Sequence, residues 1–203
     1  MREGLRALLE KQPDFQVVAE AQDGRVAVEA ARDVPCDVII MDIGMPDLNG
    51  IEATHQILAH APQTKILALS MHADKRFITA MLKAGASGYL LKSCAARELT
   101  RALKTICQGQ TYLSPALATL LVQEFVQNPD PQPSPSALLT PREREVLQQL
   151  AEGKSTKMIA ALLHVSISTV ETHRRQIMDK LNIHNIADLT KFAIKEGLTF
   201  LDI

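Results

Sequence analysis

The chain has 203 residues, 46% of them apolar and 22% charged, with a formal net charge of −1. This is the make-up of an ordinary soluble protein of one or two domains. It excludes a basic nucleic-acid coat, so any nucleic-acid contact has to come from a local surface. Cys36, Cys94 and Cys107 stand at no metal-ligand spacing, which excludes a disulfide framework or a zinc site. No apolar run is long enough to span a bilayer, so no membrane partner and a cytoplasmic location are expected.

Residues 1–126 alternate two patterns. Short apolar runs at Phe15–Ala21, Asp37–Met41, Lys65–Leu69 and Ser87–Leu91 read as buried strands. Stretches of helical period at 25–33, 50–60, 74–84 and 95–108 separate them, and a last helix is expected near 115–126. Strand and helix in alternation predict a doubly wound parallel sheet with helices on both faces, an α/β fold. Residues 127–136 carry four prolines at alternate positions, which predicts an extended linker over 127–137.

In such a sheet, function sits at the C-terminal edge of the strands. Asp42, Ser70 and Lys92 follow three successive strands. One carboxylate, one hydroxyl and one ammonium converging there suit a phosphoryl group: the first accepts it, the second bonds an oxygen, the third offsets its charge. Taken singly, the same residues are a turn aspartate, a helix cap and a solvated lysine.

The stretch 42–50 (DIGMPDLNG), Leu69-Ser70, and 84–92 (AGASGYLLK) resemble the receiver domain of two-component response regulators. The resemblance implies Asp42 as phosphoacceptor, Ser70 as switch hydroxyl, Tyr89 as the aromatic that changes rotamer, and Lys92 as the phosphate-binding lysine. It implies Mg²⁺ as well, held by Asp42 and the carbonyl of Gly44. Family receivers open with a strand ending in an acidic pair that holds this metal, whereas residues 1–10 resemble the middle of the family's first helix. The receiver is therefore expected to be N-terminally incomplete, with weak Mg²⁺ binding and an open apolar slot between the runs at Phe15 and Asp37. Either Met1 is an internal methionine of a longer protein, or the receiver is degenerate and its regulator works without phosphorylation. Phosphatases of the haloacid dehalogenase type also use an aspartate, but they want a second one two residues on, where this chain has Gly44; no enzyme is expected.

Residues 138–203 read as four helices, an all-α domain. Thr140 caps the first, with Pro141 at its first position and Glu143 completing a capping box, and Gly153 follows its end. Ser155 caps a short second helix over 156–163, Ser166 a third running to about Leu181, and Asn185 a fourth ending at Gly197. On the third, Val170, Arg174, Ile177 and Leu181 share one side, with Ser168, Thr172, Arg175 and Asp179 opposite. Two short helices and a tight turn, the second with a polar outer face, match a helix-turn-helix, although the pattern also suits a plain four-helix protein-binding domain.

The stretches 139–147 (LTPREREVL), 151–155 (AEGKS) and 165–174 (VSISTVETHR) resemble the LuxR-type helix-turn-helix, and the whole chain resembles the NarL/FixJ class of response regulators. The expected groove contacts are Glu171, Thr172 and Arg175. The expected phosphate contacts are Lys157, Ser168, Thr169, His173 and Lys180. Glu171 suits a cytosine amino group or else an i,i+4 pair with Arg175. The implied partners are a sensor histidine kinase, double-stranded DNA with paired half-sites about one helical turn apart or a multiple of it, and a second copy of the chain. Phosphorylation is expected to unmask the DNA-binding helix or to promote this homodimer.

Overall fold

In the computed structural model, residues 1–71, 73–127 and 135–199 are described. The chain divides into two compact units, with the boundary between residues 129 and 130. Most of the predicted linker, 128–134, lies outside the described residues; Gln127 is still helical, and Pro135–Leu138 form one 3-10 turn.

The first unit holds α1 (Arg2–Leu9), α2 (Gly24–Asp33), β1 (Val38–Asp42), α3 (Gly50–His60), β2 (Lys65–Ser70), α4 (Lys75–Lys83), β3 (Gly88–Leu91), α5 (Ala95–Cys107), β4 (Tyr112–Leu113) and α6 (Pro115–Gln127). The four strands form one parallel sheet in the order β1-β2-β3-β4. Alternate residues of β2 face opposite layers, as the two-residue period requires. Leu67 and Leu69 pack with Leu99, Leu103 and Ile106 of α5. Side-chain carboxylates or amides at Asp23, Asn49 and Asp74 cap α2, α3 and α4.

Phe15–Ala21 corrects one expectation: the run forms no strand and has no regular structure. Apolar patterning supplies the side chains of a strand, yet a ladder needs a neighbour for its N–H and C=O groups. Among the described residues no strand forms a ladder with 16–21, and β1 is an edge strand whose Val38, Ile39 and Ile40 stay half-exposed. Between them lies a cavity of about 1080 Å³, lined among others by Leu5, Leu9, Val17, Val38 and Ile40. In the other direction, the two-residue β4 carries too little pattern to be foreseen.

The second unit holds α7 (Pro141–Ala151), α8 (Thr156–Leu162), α9 (Ile167–Leu181) and α10 (Ile186–Glu196). Its core is built from Val146, Leu147, Leu150, Ile159, Leu163, Val170, Ile177, Leu189 and Ala193, all buried. Each helix starts at the predicted cap, and α7 has the full capping box between Thr140 and Glu143. Asn182 and Gly197 end α9 and α10 in the left-handed conformation, which Asn and Gly adopt at least cost.

Candidate functional site

In the first unit the parallel strands bring three polar side chains to one edge. Asp42 is the last residue of β1, Ser70 the last of β2, and Lys92 directly follows β3. Lys92 Nζ donates to Asp42 Oδ2 at 2.5 Å, and only 16% of the Lys92 side chain is exposed. The N–H of Gly44 donates to the other carboxylate oxygen at 3.1 Å.

Behind Asp42 the backbone is fixed by the start of α3. Asn49 accepts from the N–H groups of Ile51 and Glu52 at 3.0 Å each. The N–H of Gly50 donates to the Ile43 carbonyl at 3.0 Å. A Cβ on Gly50 would overlap the Asp42 carbonyl oxygen and sit 2.9 Å from Ile43 Cα, so only glycine lets the helix approach this closely. The sequence reading missed this pair; Asn-Gly before an apolar helical stretch was its only signal.

Ser70 is buried and Tyr89 wholly so, and their hydroxyls share a hydrogen bond. Burial pushes the Tyr89 phenol up to about 12; the Ser70 hydrogen bond works against that and the charge of Asp74 with it. The edge thus holds a half-buried charged pair, Asp42 with Lys92, beside a buried neutral pair, Ser70 with Tyr89. A carboxylate and an ammonium in contact can accept and hold an anion. The donors at this edge fit Mg²⁺ poorly: waters can fill most of its six positions, but the Asp42 carboxylate is already bonded to Lys92 and Gly44, and a cation there would meet the Lys92 ammonium. Among the described residues, no group of three or more His, Cys, Asp or Glu could hold a metal.

In the second unit, Ser155 caps α8 through the N–H of Met158 (3.3 Å) and Ser166 caps α9 through that of Thr169 (3.1 Å). The turn between them passes through His164 at φ +53°. Arg142 on α7 donates to Glu145 and to the Leu163 carbonyl, both at 2.7 Å, tying α7 to the end of α8. The buried face of α9 carries Val170 and Ile177. Lys157, Ser168, Glu171, Thr172 and Arg175 are exposed, and Thr169 is half-buried. The hydroxyls of Ser168 and Thr169 each lie 2.8 Å from that of Ser166, and Thr172 donates back to the Ser168 carbonyl at 2.9 Å. Among the described residues, Glu171 and Arg175 form no ion pair, with each other or elsewhere.

Two of the expected phosphate contacts are placed differently. His173 is half-buried, and its Nδ1 faces the interior without a hydrogen bond. Lys180 Nζ donates to Glu143 Oε2 at 2.7 Å. Burial opposes charge on Glu143, but the hydrogen bonds from Lys180 and Thr140 outweigh it and hold its carboxyl below the ordinary value.

A family model described as "Response regulator receiver domain" matches residues 1–104, and one described as "Bacterial regulatory proteins, luxR family" matches 137–193. The transcriptional regulatory protein DegU of Brevibacillus brevis is 40% identical, over 97% of this chain and 89% of its own length. The oxygen regulatory protein NreC of Staphylococcus carnosus is 38% identical, over 98% and 94%. The chain belongs to the response regulators with a LuxR-type DNA-binding domain. Among solved structures, this response regulator resembles RcsB of Salmonella typhimurium, with a TM-score of 0.63 at 28% identity over 96% of this chain and 92% of that one. A further structure shows RcsB of the same serovar bound to a promoter in the presence of the phosphomimetic BeF3−, with a TM-score of 0.60 at 26% identity over 98% and 93%. The receiver match runs from α1 into α5 and contains Asp42, Ser70, Tyr89 and Lys92. The LuxR match contains the capping box and all of α8 and α9.

Proposed function

We propose that this response regulator is switched at Asp42 and reads DNA with α8 and α9. A sensor histidine kinase supplies the phosphoryl group: its N–P bond breaks as an O–P bond forms at the Asp42 carboxylate. Lys92 changes partner from the carboxylate to a phosphoryl oxygen and offsets the added charge. Ser70 leaves Tyr89 to bond another oxygen, and the freed Tyr89 repacks, reshaping the surface around β3. Two copies then pair and place two DNA-binding units on successive half-sites of a promoter in the cytoplasm. The contact between Lys92 and Asp42, with Ser70 at the same sheet edge, carries this reading.

Glu171, Thr172 and Arg175 face the bases, and Lys157, Ser168 and Thr169 the phosphates. Arg175 suits guanine through its forked donors, and Glu171 suits the amino group of cytosine. The hydroxyls at the start of α9 stand where the helix dipole favours an anion. The RcsB complex with a promoter supports this use of the same domain.

One observation favours a second reading, a regulator that binds DNA without phosphorylation: the single carboxylate at the edge is a poor Mg²⁺ site. Incubation with a small-molecule phosphodonor, followed by mass measurement of peptides, separates the two. A phosphoryl group on Asp42, absent from Asp42→Asn, with tighter DNA binding on labelling, supports the switch. No label, and unchanged DNA binding by Asp42→Asn, supports the second reading.

A further inference from the structure

The resemblance to the LuxR-type helix-turn-helix puts Lys180 among the expected phosphate contacts, a role that its point charge suits. The structure gives that cation another occupation. The Glu143 side chain is 3% exposed, and the same Oε2 accepts from Lys180 Nζ and from the Thr140 backbone N–H, both at 2.7 Å. One carboxylate therefore ties the first turn of α7 to the last turn of α9, two helices packed against each other. The Lys180 side chain is 38% exposed, but its ammonium is anchored at this carboxylate, so reaching out to a phosphate away from α7 breaks the bond. Doing so strands a buried carboxylate, a far larger cost than a screened contact at a wet DNA surface returns. The helix C-terminus adds to the hold, because its dipole favours a cation there.

We propose that Glu143 is a positioning residue for DNA recognition: it captures Lys180, fixes the tilt of α9 against α7, and withdraws Lys180 from the phosphate contacts. Exposed Lys157, without an ion pair among the described residues, remains a phosphate-binding lysine. The inference rests on the DNA-binding reading and adds a division of labour between two lysines that sequence pattern treats alike.

The test is the dependence of affinity on salt, measured with the full chain and a short duplex of arbitrary sequence. Each lost phosphate contact lowers the slope of log K against log salt by about 0.9. Lys157→Met is expected to show that loss and Lys180→Met to leave the slope unchanged. Glu143→Gln releases Lys180 and is expected to add about 0.9 to the slope, a gain that Glu143→Gln with Lys180→Met cancels. A merely structural role for the pair leaves the slope of Glu143→Gln at the parent's value, while Lys157→Met still lowers it. Should the variants unfold, amine acetylation of the unaltered chain gives the same answer: duplex is expected to protect Lys157 and not Lys180. A slope lowered by Lys180→Met, or protection of Lys180 by DNA, overturns the proposal. A parent chain with no salt-dependent affinity removes the DNA-binding reading along with it, and the Lys157 control identifies that case.

Discussion

Arg175 and Ile177 stand two residues apart on α9, one exposed and the other wholly buried, and truncating each to alanine separates recognition from folding. Ile177→Ala removes three carbons from the core. At about 0.8 kcal/mol per buried methylene, transfer alone costs about 2.4 kcal/mol, and the cavity left behind brings the total to roughly 3–4 kcal/mol. In a unit of this size each kcal/mol lowers the melting temperature by about 4–8 °C, so a fall of roughly 12–30 °C is expected. Arg175 has no hydrogen bond or ion pair among the described residues, so Arg175→Ala should shift stability by less than about 0.5 kcal/mol. Its effect belongs to binding: a loss of about 1–3 kcal/mol on a specific site if it reads guanine, or a salt slope lowered by about 1 if it holds phosphate. Calorimetry of both variants, with DNA titrations at three salt concentrations, checks this. Unchanged DNA binding by Arg175→Ala at every salt concentration, or a melting shift under 5 °C for Ile177→Ala on this roughly 4–8 °C scale, refutes the assignment of faces on α9.

Gly50→Ala forces a methyl group into the Asp42 carbonyl, and a loss of about 1–3 kcal/mol in receiver stability is expected from overpacking, together with slower labelling of Asp42; chemical denaturation and phosphodonor kinetics read both. Thr140→Ala removes the hydroxyl that caps α7 through the Glu143 N–H and should cost about 1 kcal/mol, seen as an earlier melt of the second unit. Both tyrosines are held near 12, Tyr89 by burial and Tyr112 by burial and its bond to Glu98. A raised folded value means that their contribution to stability is complete below the ordinary value of 10 and is lost as pH climbs from 10 to about 12. Absorbance at alkaline pH should thus show no phenolate near pH 10, and a normal titration there refutes the burial of both rings.

Helix starts were legible because each is a local event: Thr140, Ser155, Ser166 and Asn185 satisfy N–H groups three residues away, and the sequence contains both partners. The acidic, hydroxyl and basic residues at the strand ends were legible because a parallel sheet sends every C-terminus to one edge. The run at Phe15–Ala21 shows where pattern stops. Alternating apolar residues state what a strand would bury, while a ladder depends on a neighbour that pattern does not supply.

The amino-acid sequence by itself determined the two units, the order of their elements and the polar face of α9. Only the tertiary structure decided which of those polar groups are engaged. Ser70 is held by Tyr89, Lys92 by Asp42 and Lys180 by Glu143, across 19, 50 and 37 residues of chain. Local pattern carries charge and periodicity, but whether a lysine meets solvent or a buried carboxylate depends on which helix packs beside it. That is set by the core, because burying apolar surface outweighs any single ion pair.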